Sequence, residues 1–206
     1  MEAIPNLSVS YLFSRAWERM RSHLGPTVAV FFVYVIATNL TSTVIRDDGG
    51  FDFFAKVIEF VVRGPMTVGA LWFGLNLVRG EEANIGALFE GFRKFGTSFL
   101  VYLVYVLAIC IGFVLLIIPG IIAAIGFGPS LLLVMDEDLT VGDHLRKAWD
   151  MTRGYKGQLF VVGMAALGVN ILGFLALGVG IFFTGALTLV VEALVYEELK
   201  AAYDQS

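Results

Sequence analysis

The sequence predicts an all-α membrane protein, with six transmembrane helices in three repeats of an amphipathic interfacial helix plus a two-helix hairpin. Three observations predict it. The 206 residues are 58% hydrophobic and 16% charged, with a mean hydropathy of +0.82. Soluble domains are about 45–50% apolar and about 25% charged. Apolar runs long enough for a bilayer core of about 30 Å recur along the chain. Between them lie three polar segments whose apolar residues return at helical spacing.

The first polar segment carries Val9, Leu12, Phe13, Ala16, Trp17 and Met20 along one stripe, with Ser8 placed to cap it. Residues 26–45 form the first span, uncharged until Arg46, Asp47 and Asp48. Residues 53–63 hold Lys56, Glu59 and Arg63 at helical spacing and read as an interfacial approach helix, separate from the second span or continuous with it. That span covers 64–78, behind a bend at Gly64-Pro65, where proline removes a backbone donor.

Ile85, Leu88, Phe89 and Phe92 mark the second polar segment. The third and fourth spans, 97–118 and 120–135, are predicted to form a hairpin turning at Pro119-Gly120. Pro65 and Pro129 mark positions where spans two and four are either continuous, broken or partly re-entrant. In the third polar segment, Val141, Leu145, Ala148, Trp149 and Thr152 share a stripe with His144. Thr140 and Asp143 there approximate a capping box. Spans five and six, 158–175 and 181 to about 196, are joined by the glycine-bearing turn 176–180.

The pattern predicts one membrane domain, 1–206, of three units at about 8–79, 82–136 and 140–203. Phe92 precedes Gly120 by 28 residues and Trp149 precedes Gly178 by 29, which sets the second and third units in register. The first unit is longer because residues 46–63 extend its hairpin. Two spans per unit return the chain to its starting side. Of the 14 Lys and Arg residues, all but Arg46, Lys56 and Arg63 then fall on the side of both termini. Basic residues concentrate on the cytoplasmic side, so both termini are expected in the cytoplasm of a bacterial inner membrane. The first 25 residues show no short apolar stretch before a cleavage site, so the first span is expected to stay in the mature protein.

The ordered series Arg63-Gly64-Pro65-Met66-Thr67-Val68-Gly69, Arg79-Gly80-Glu81, Leu88-Phe89-Glu90-Gly91-Phe92, Ile117-Ile118-Pro119-Gly120-Ile121 and Ala148-Trp149-Asp150-Met151-Thr152-Arg153-Gly154 resembles a known family. Over about residues 8 to 199 the chain is similar to bacterial multi-pass proteins related to the membrane domain of glycerophosphoryl diester phosphodiesterase. The resemblance implies a multi-pass membrane module. It carries no catalytic residues over, and the soluble phosphodiesterase domain fused to some relatives is not in this sequence.

Composition narrows the chemistry. A net charge of −4 and a pI near 5.2 argue against nucleic acid as a partner. Cys110 alone permits neither an internal disulfide nor a cysteine-based metal site. No metal-ligand cluster, phosphate loop or nucleophile elbow is legible, so no cofactor, metal or catalytic residue is expected.

Two sets of residues remain. Glu192 lies inside the sixth span, where a carboxylate costs several kcal/mol unless paired or protonated. Tyr196 and Thr188 share its helix face, and Asn76 and Asn170 on other spans are within its reach. With Asn39, these define a candidate intramembrane polar site, or else hydrogen bonds that join helices. The second set is a candidate lipid interface: Trp17, Arg15, Arg19, Phe92, Arg93, Lys94, Trp149, Arg146, Lys147 and Arg153. Cations near an anionic surface contribute about 1 kcal/mol each. Arg63 reads as a lipid-phosphate contact or as a cation snorkelling to the outer interface.

The leading expectation is a non-enzymatic scaffold acting through these helices on lipids, other membrane proteins or a second copy of itself. The alternative is a small transporter or channel using Glu192, and that reading requires a polar cavity reaching Glu192. An accessory to a lipid-modifying enzyme is a further alternative.

Overall fold

A computed structural model describes the backbone of residues 4–44, 51–82, 84–176 and 178–205, with the side chains of all but 40–44 and 51–54. Arg46, Asp47 and Asp48 of the first hairpin lie outside the described residues. Ten helices and no strand occur among those described. They are α1 (Val9–Arg21), α2 (Leu24–Val44), α3 (Phe51–Arg79), α4 (Ala87–Glu90), α5 (Phe95–Leu115), α6 (Ile117–Phe127), α7 (Ser130–Asp136), α8 (Val141–Met151), α9 (Lys156–Leu175) and α10 (Gly180–Asp204).

Five stretches are long and apolar enough to cross a bilayer: Ala55–Arg79, Phe95–Leu115, Ile117–Asp136, Lys156–Leu175 and Gly180–Asp204. A sixth is reached if α1 and α2, bent by 102° at their junction, count together. A helix of 21 residues, such as α5, is about 31 Å long at 1.5 Å per residue, which matches the hydrocarbon core.

The centre of the bundle is α3, packed by α1, α2, α4, α5, α7 and α10. It is the least apolar of the five, which fits a helix surrounded by protein instead of lipid. By contrast, α5 and α9 lie at the periphery and expose Leu107, Ile111, Val114, Met164, Leu172 and Leu175. Pro65 sits inside α3 without ending it, so the approach segment and the second span are one helix. Packing on every side carries the helix past the missing donor.

The third and fourth spans do not turn at Pro119-Gly120. Leu116 makes the turn in extended conformation, and Pro119 falls in the first turn of α6. There its absent N–H is one that has no intrahelical partner anyway. Gly120 serves packing: a Cβ on Gly112 would strike the Gly120 backbone, and one on Gly120 would strike the Phe113 ring. Pro129 stands between α6 and α7, which together make the fourth span. The α9–α10 turn uses Gly178 at φ 73°, a left-handed conformation that glycine adopts without strain.

The three polar segments differ. Along α1, Leu12, Ala16 and Met20 are fully buried against the bundle. Ser8 leaves α1 uncapped and donates its hydroxyl to Asn6 Oδ1 instead (3.0 Å). Along α8, His144, Ala148 and Met151 are buried, and the Asp143 N–H donates to Thr140 Oγ1 (3.3 Å). The second segment yields only the four-residue α4, which is wedged into α3 instead of forming a surface helix. A Cβ at Gly69 would strike the Leu88 carbonyl, and one at Gly91 the Pro65 carbonyl. Gly69 and Pro65 precede the Arg79 end of α3 by roughly 15–20 Å along the helix axis. Trp72 Nε1 donates to Glu90 Oε2 (3.0 Å), and Ser98 Oγ to the Gly91 carbonyl (2.9 Å).

This contact sets a test. Gly69→Ala forces α4 away from α3, so unfolding in detergent is expected to become easier by about 1–3 kcal/mol, as for other overpacked sites. Gly168→Ala meets open space and is expected to match or exceed the wild-type melting temperature. Equal melting of Gly69→Ala and wild type would contradict the wedge.

Candidate functional site

Two clusters of polar groups lie within the helices, and they differ in how fully they are satisfied. The first closes one end of the bundle. The last turn of α3 is finished by Gly80 at φ 76°, with the Glu81 N–H on the Asn76 carbonyl (2.8 Å) and the Gly80 N–H on the Leu77 carbonyl (3.3 Å). Arg79, held there, donates from Nη1 and Nη2 to the two oxygens of Asp136 (2.7 and 3.1 Å) and from Nε to Glu197 (2.7 Å). Asp136 also accepts from the Tyr196 hydroxyl (2.6 Å) and from Lys200. Beside it, Glu137 takes Lys147 (2.7 Å) and Lys200 (3.2 Å). The ends of α3, α7 and α10 and the face of α8 are tied by this one network. Burial alone would push the Glu137 carboxyl up, but the ammonium groups of Lys147 and Lys200 outweigh it and hold the carboxyl below its ordinary value.

The second cluster is centred on Glu192 in α10. Its side chain faces open volume, and among the described residues no hydrogen bond or ion pair reaches its carboxylate. Two cavities meet there. The larger, about 570 Å³, runs among α2, α3, α5, α9 and α10 and is bordered by Tyr34, Arg63, Thr67, Tyr102, Asn170 and Thr188. Its volume lies within the range of about 300–1,000 Å³ usual for ligand sites. The smaller, about 220 Å³, lies between the fourth span and α9 and is almost wholly aliphatic apart from Glu192, Thr188 and the tyrosines. Leu71, Tyr105, Leu131, Thr188 and Glu192 border both.

Most polar groups around the larger cavity are held by the protein. The Tyr34 hydroxyl meets Thr67 Oγ1 (3.2 Å), and the Thr67 hydroxyl itself donates to the Arg63 carbonyl (2.8 Å). Arg63 donates to Glu59 (2.7 Å) and to the Thr38 carbonyl (2.9 Å). Asn170 Nδ2 donates across to Thr188 Oγ1 (3.0 Å), while its Oδ1 is buried with no partner among the described residues. The tyrosine rings, Phe31 and these hydroxyls border the same cavity as an acidic group that no cation reaches among the described residues.

Of the residues the sequence singled out around Glu192, only Asn170, Thr188 and Tyr196 border a cavity with it. The Tyr196 hydroxyl is turned to Asp136 and closes the charged end. Asn76 is buried in α3 away from both cavities, and its Oδ1 has no partner among the described residues. Asn39 is exposed on α2 and bonds back to the Val35 carbonyl (2.8 Å). Sequence reasoning missed Asp136 and the tyrosines 34, 102 and 105. Asp136 ends an apolar run, where a charge is ordinary, and tyrosines recur along membrane segments without marking a site.

The lipid-interface residues also separate. Trp149 packs on Phe127 (5.0 Å between centroids) beneath the Lys156 ammonium (3.8 Å), and Lys147 and Lys94 are paired with Glu137 and Asp138 (both 2.7 Å). Phe92 stacks on Phe95 (6.4 Å), and Arg19 is half-buried. Trp17 leans on Phe183 (5.5 Å) yet stays 42% exposed, and Arg15, Arg93, Arg146 and Arg153 are exposed. Arg15 also lies over the Tyr11 ring (5.9 Å).

Comparison with protein-family models, with curated proteins and with solved structures finds no match to this chain.

The charged end makes two predictions. Asp136→Asn leaves Arg79 and Lys200 facing a neutral group in a largely buried site. Loss of one partner of such a pair is expected to destabilise by about 3–5 kcal/mol, read from denaturation in detergent. Because the Glu137 carboxyl is depressed, the stability it adds is complete above its ordinary value of 4.5 and is lost as pH falls through its lowered value. From neutral pH to about pH 3, the melting temperature of Glu137→Gln is therefore expected to fall less steeply than that of wild type. Parallel profiles would contradict this account.

Proposed function

We propose that the chain is a small membrane transporter or channel whose intramembrane site is centred on Glu192. The observation that supports this is a carboxylate without a partner among the described residues, at the junction of two cavities between the helices. A carboxylate packed within a scaffold is paired, as Asp136 is; one that faces open volume between apolar helices without a partner marks a place where a proton, an ion or a substrate completes the site. The cavity meets the condition that this reading set from the sequence.

The scaffold reading draws less support. The apolar faces of α1 and α8 are spent on the bundle, and α4 is wedged into α3. What remains of it is the exposed ring of Trp17 and the arginines 15, 93, 146 and 153. We assign the arginines to the headgroup region at the charged end, where they would fix the depth of the bundle, whereas Trp17 leans on Phe183 near the opposite end of α10. The proposal includes a bacterial plasma membrane, both termini on the cytoplasmic side by the distribution of basic residues, and the threefold repeat. Support for the repeat comes from α1 and α8, where Ala16 and Ala148 are both fully buried directly ahead of Trp17 and Trp149. The relation to the phosphodiesterase membrane domain is likewise a proposal, and no enzymatic step is assigned.

Purified protein in liposomes, under an imposed potential, is expected to pass protons or small monovalent cations faster than empty liposomes. Glu192→Gln should cut that flux by about tenfold or more, the effect of roughly 1.4 kcal/mol of lost interaction. Equal flux in the two proteins, or none above empty liposomes, would overturn the reading.

A further inference from the structure

The two cavities that share Glu192 differ in chemistry, and the difference has a direction. On one side are hydroxyls, an amide and aromatic rings; on the other, a slot between α6 and α9 walled by side chains such as Ile125, Leu159 and Val162. The slot is open sideways. Gly163 borders it and is exposed, and a Cβ there would meet nothing within 4 Å. Its outer wall, α9, is one of the two most lipid-exposed spans. The aliphatic cavity thus leads from Glu192 toward the acyl-chain region of a membrane.

We propose that the site accepts a single-tailed amphiphile with a cationic head, the head against Glu192 in the larger cavity and the tail in the slot between α6 and α9. Charge complementarity selects the head. Among the described residues no cation reaches Glu192, whereas Arg63, which borders the larger cavity, is already matched by Glu59. Phe31, Tyr102 and Tyr105 border the same cavity, and aromatic rings attract a cation more strongly when water is excluded. The slot selects the tail, since it offers an alkyl chain apolar walls and little to a solvated ion. A small inorganic cation would fill the polar half and leave the other half unused.

This inference rests on Glu192 being a binding site and names what it binds. Binding is measured with the full chain in lipid nanodiscs, subtracting empty nanodiscs, with three probes: tetramethylammonium, decyltrimethylammonium and decyl sulfate. Decyltrimethylammonium is expected to bind at least about tenfold more tightly than either of the others, a difference of roughly 1.4 kcal/mol. Glu192→Gln should remove its advantage over decyl sulfate. Gly163→Phe, placed where a Cβ meets nothing within 4 Å, should remove its advantage over tetramethylammonium. Wild-type protein that binds tetramethylammonium as tightly as the decyl compound, or decyl sulfate as tightly as decyltrimethylammonium, would overturn the proposal without any variant. Glu192-dependent flux without this selectivity would defeat the inference and leave the transport reading standing. Selective binding without flux would do the reverse.

Discussion

Within a bilayer no hydrophobic force draws one apolar helix onto another, because lipid tails are as apolar as leucine; association rests on close packing and buried polar contacts. The architecture follows from that constraint. Glycines are placed where backbones must touch: Gly69 and Gly91 seat α4 on α3, Gly112 and Gly120 close the α5–α6 hairpin, and Gly74 lets α10 approach through Leu189. Around these contacts α3 acquires neighbours on every side, while α5 and α9 keep their leucines and isoleucines for lipid. A helix of modest hydropathy can occupy the centre because other spans shield it.

Polar groups face the same constraint in sharper form, since an unmatched charge away from water is costly. The chain meets it in two ways. At one end, Asp136 is surrounded by Arg79, Lys200 and Tyr196, so the charge is answered inside the protein and serves to tie three spans together. In the middle, Glu192 is left to open volume. The contrast between these carboxylates, more than the presence of either, carries the proposed reading: one belongs to the architecture, and the other borders two cavities.

The amphipathic segments show how one pattern can have two outcomes. The 3.6-residue stripe of α1 and α8 signals a face that must be covered, and a bundle covers it as well as lipid does. Here Leu12, Ala16 and Met20 of α1 and His144, Ala148 and Met151 of α8 are covered by protein. The basic side chains Arg15, Arg146 and Arg153 beyond those stripes remain exposed.

Much of this molecule was legible before any coordinates. Hydropathy and span length led to membrane helices, stripe periodicity to α1 and α8, and the depth of Glu192 in an apolar run to the candidate site, because each is a local property of consecutive residues. Other features were not local. Pro65 does not break α3, since the neighbours that support the helix come from distant segments; Pro119 opens a helix instead of turning a hairpin, since Leu116 takes the extended conformation. Asn76, Asn39 and Asn170 look alike in sequence, yet only Asn170 borders the Glu192 cavity, and Tyr34, Tyr102 and Tyr105 gather there from separate spans. Consecutive residues determine what each helix can bury and where it must lie; which groups meet across helices, and whether a carboxylate finds a partner or an opening, is decided only when the spans pack.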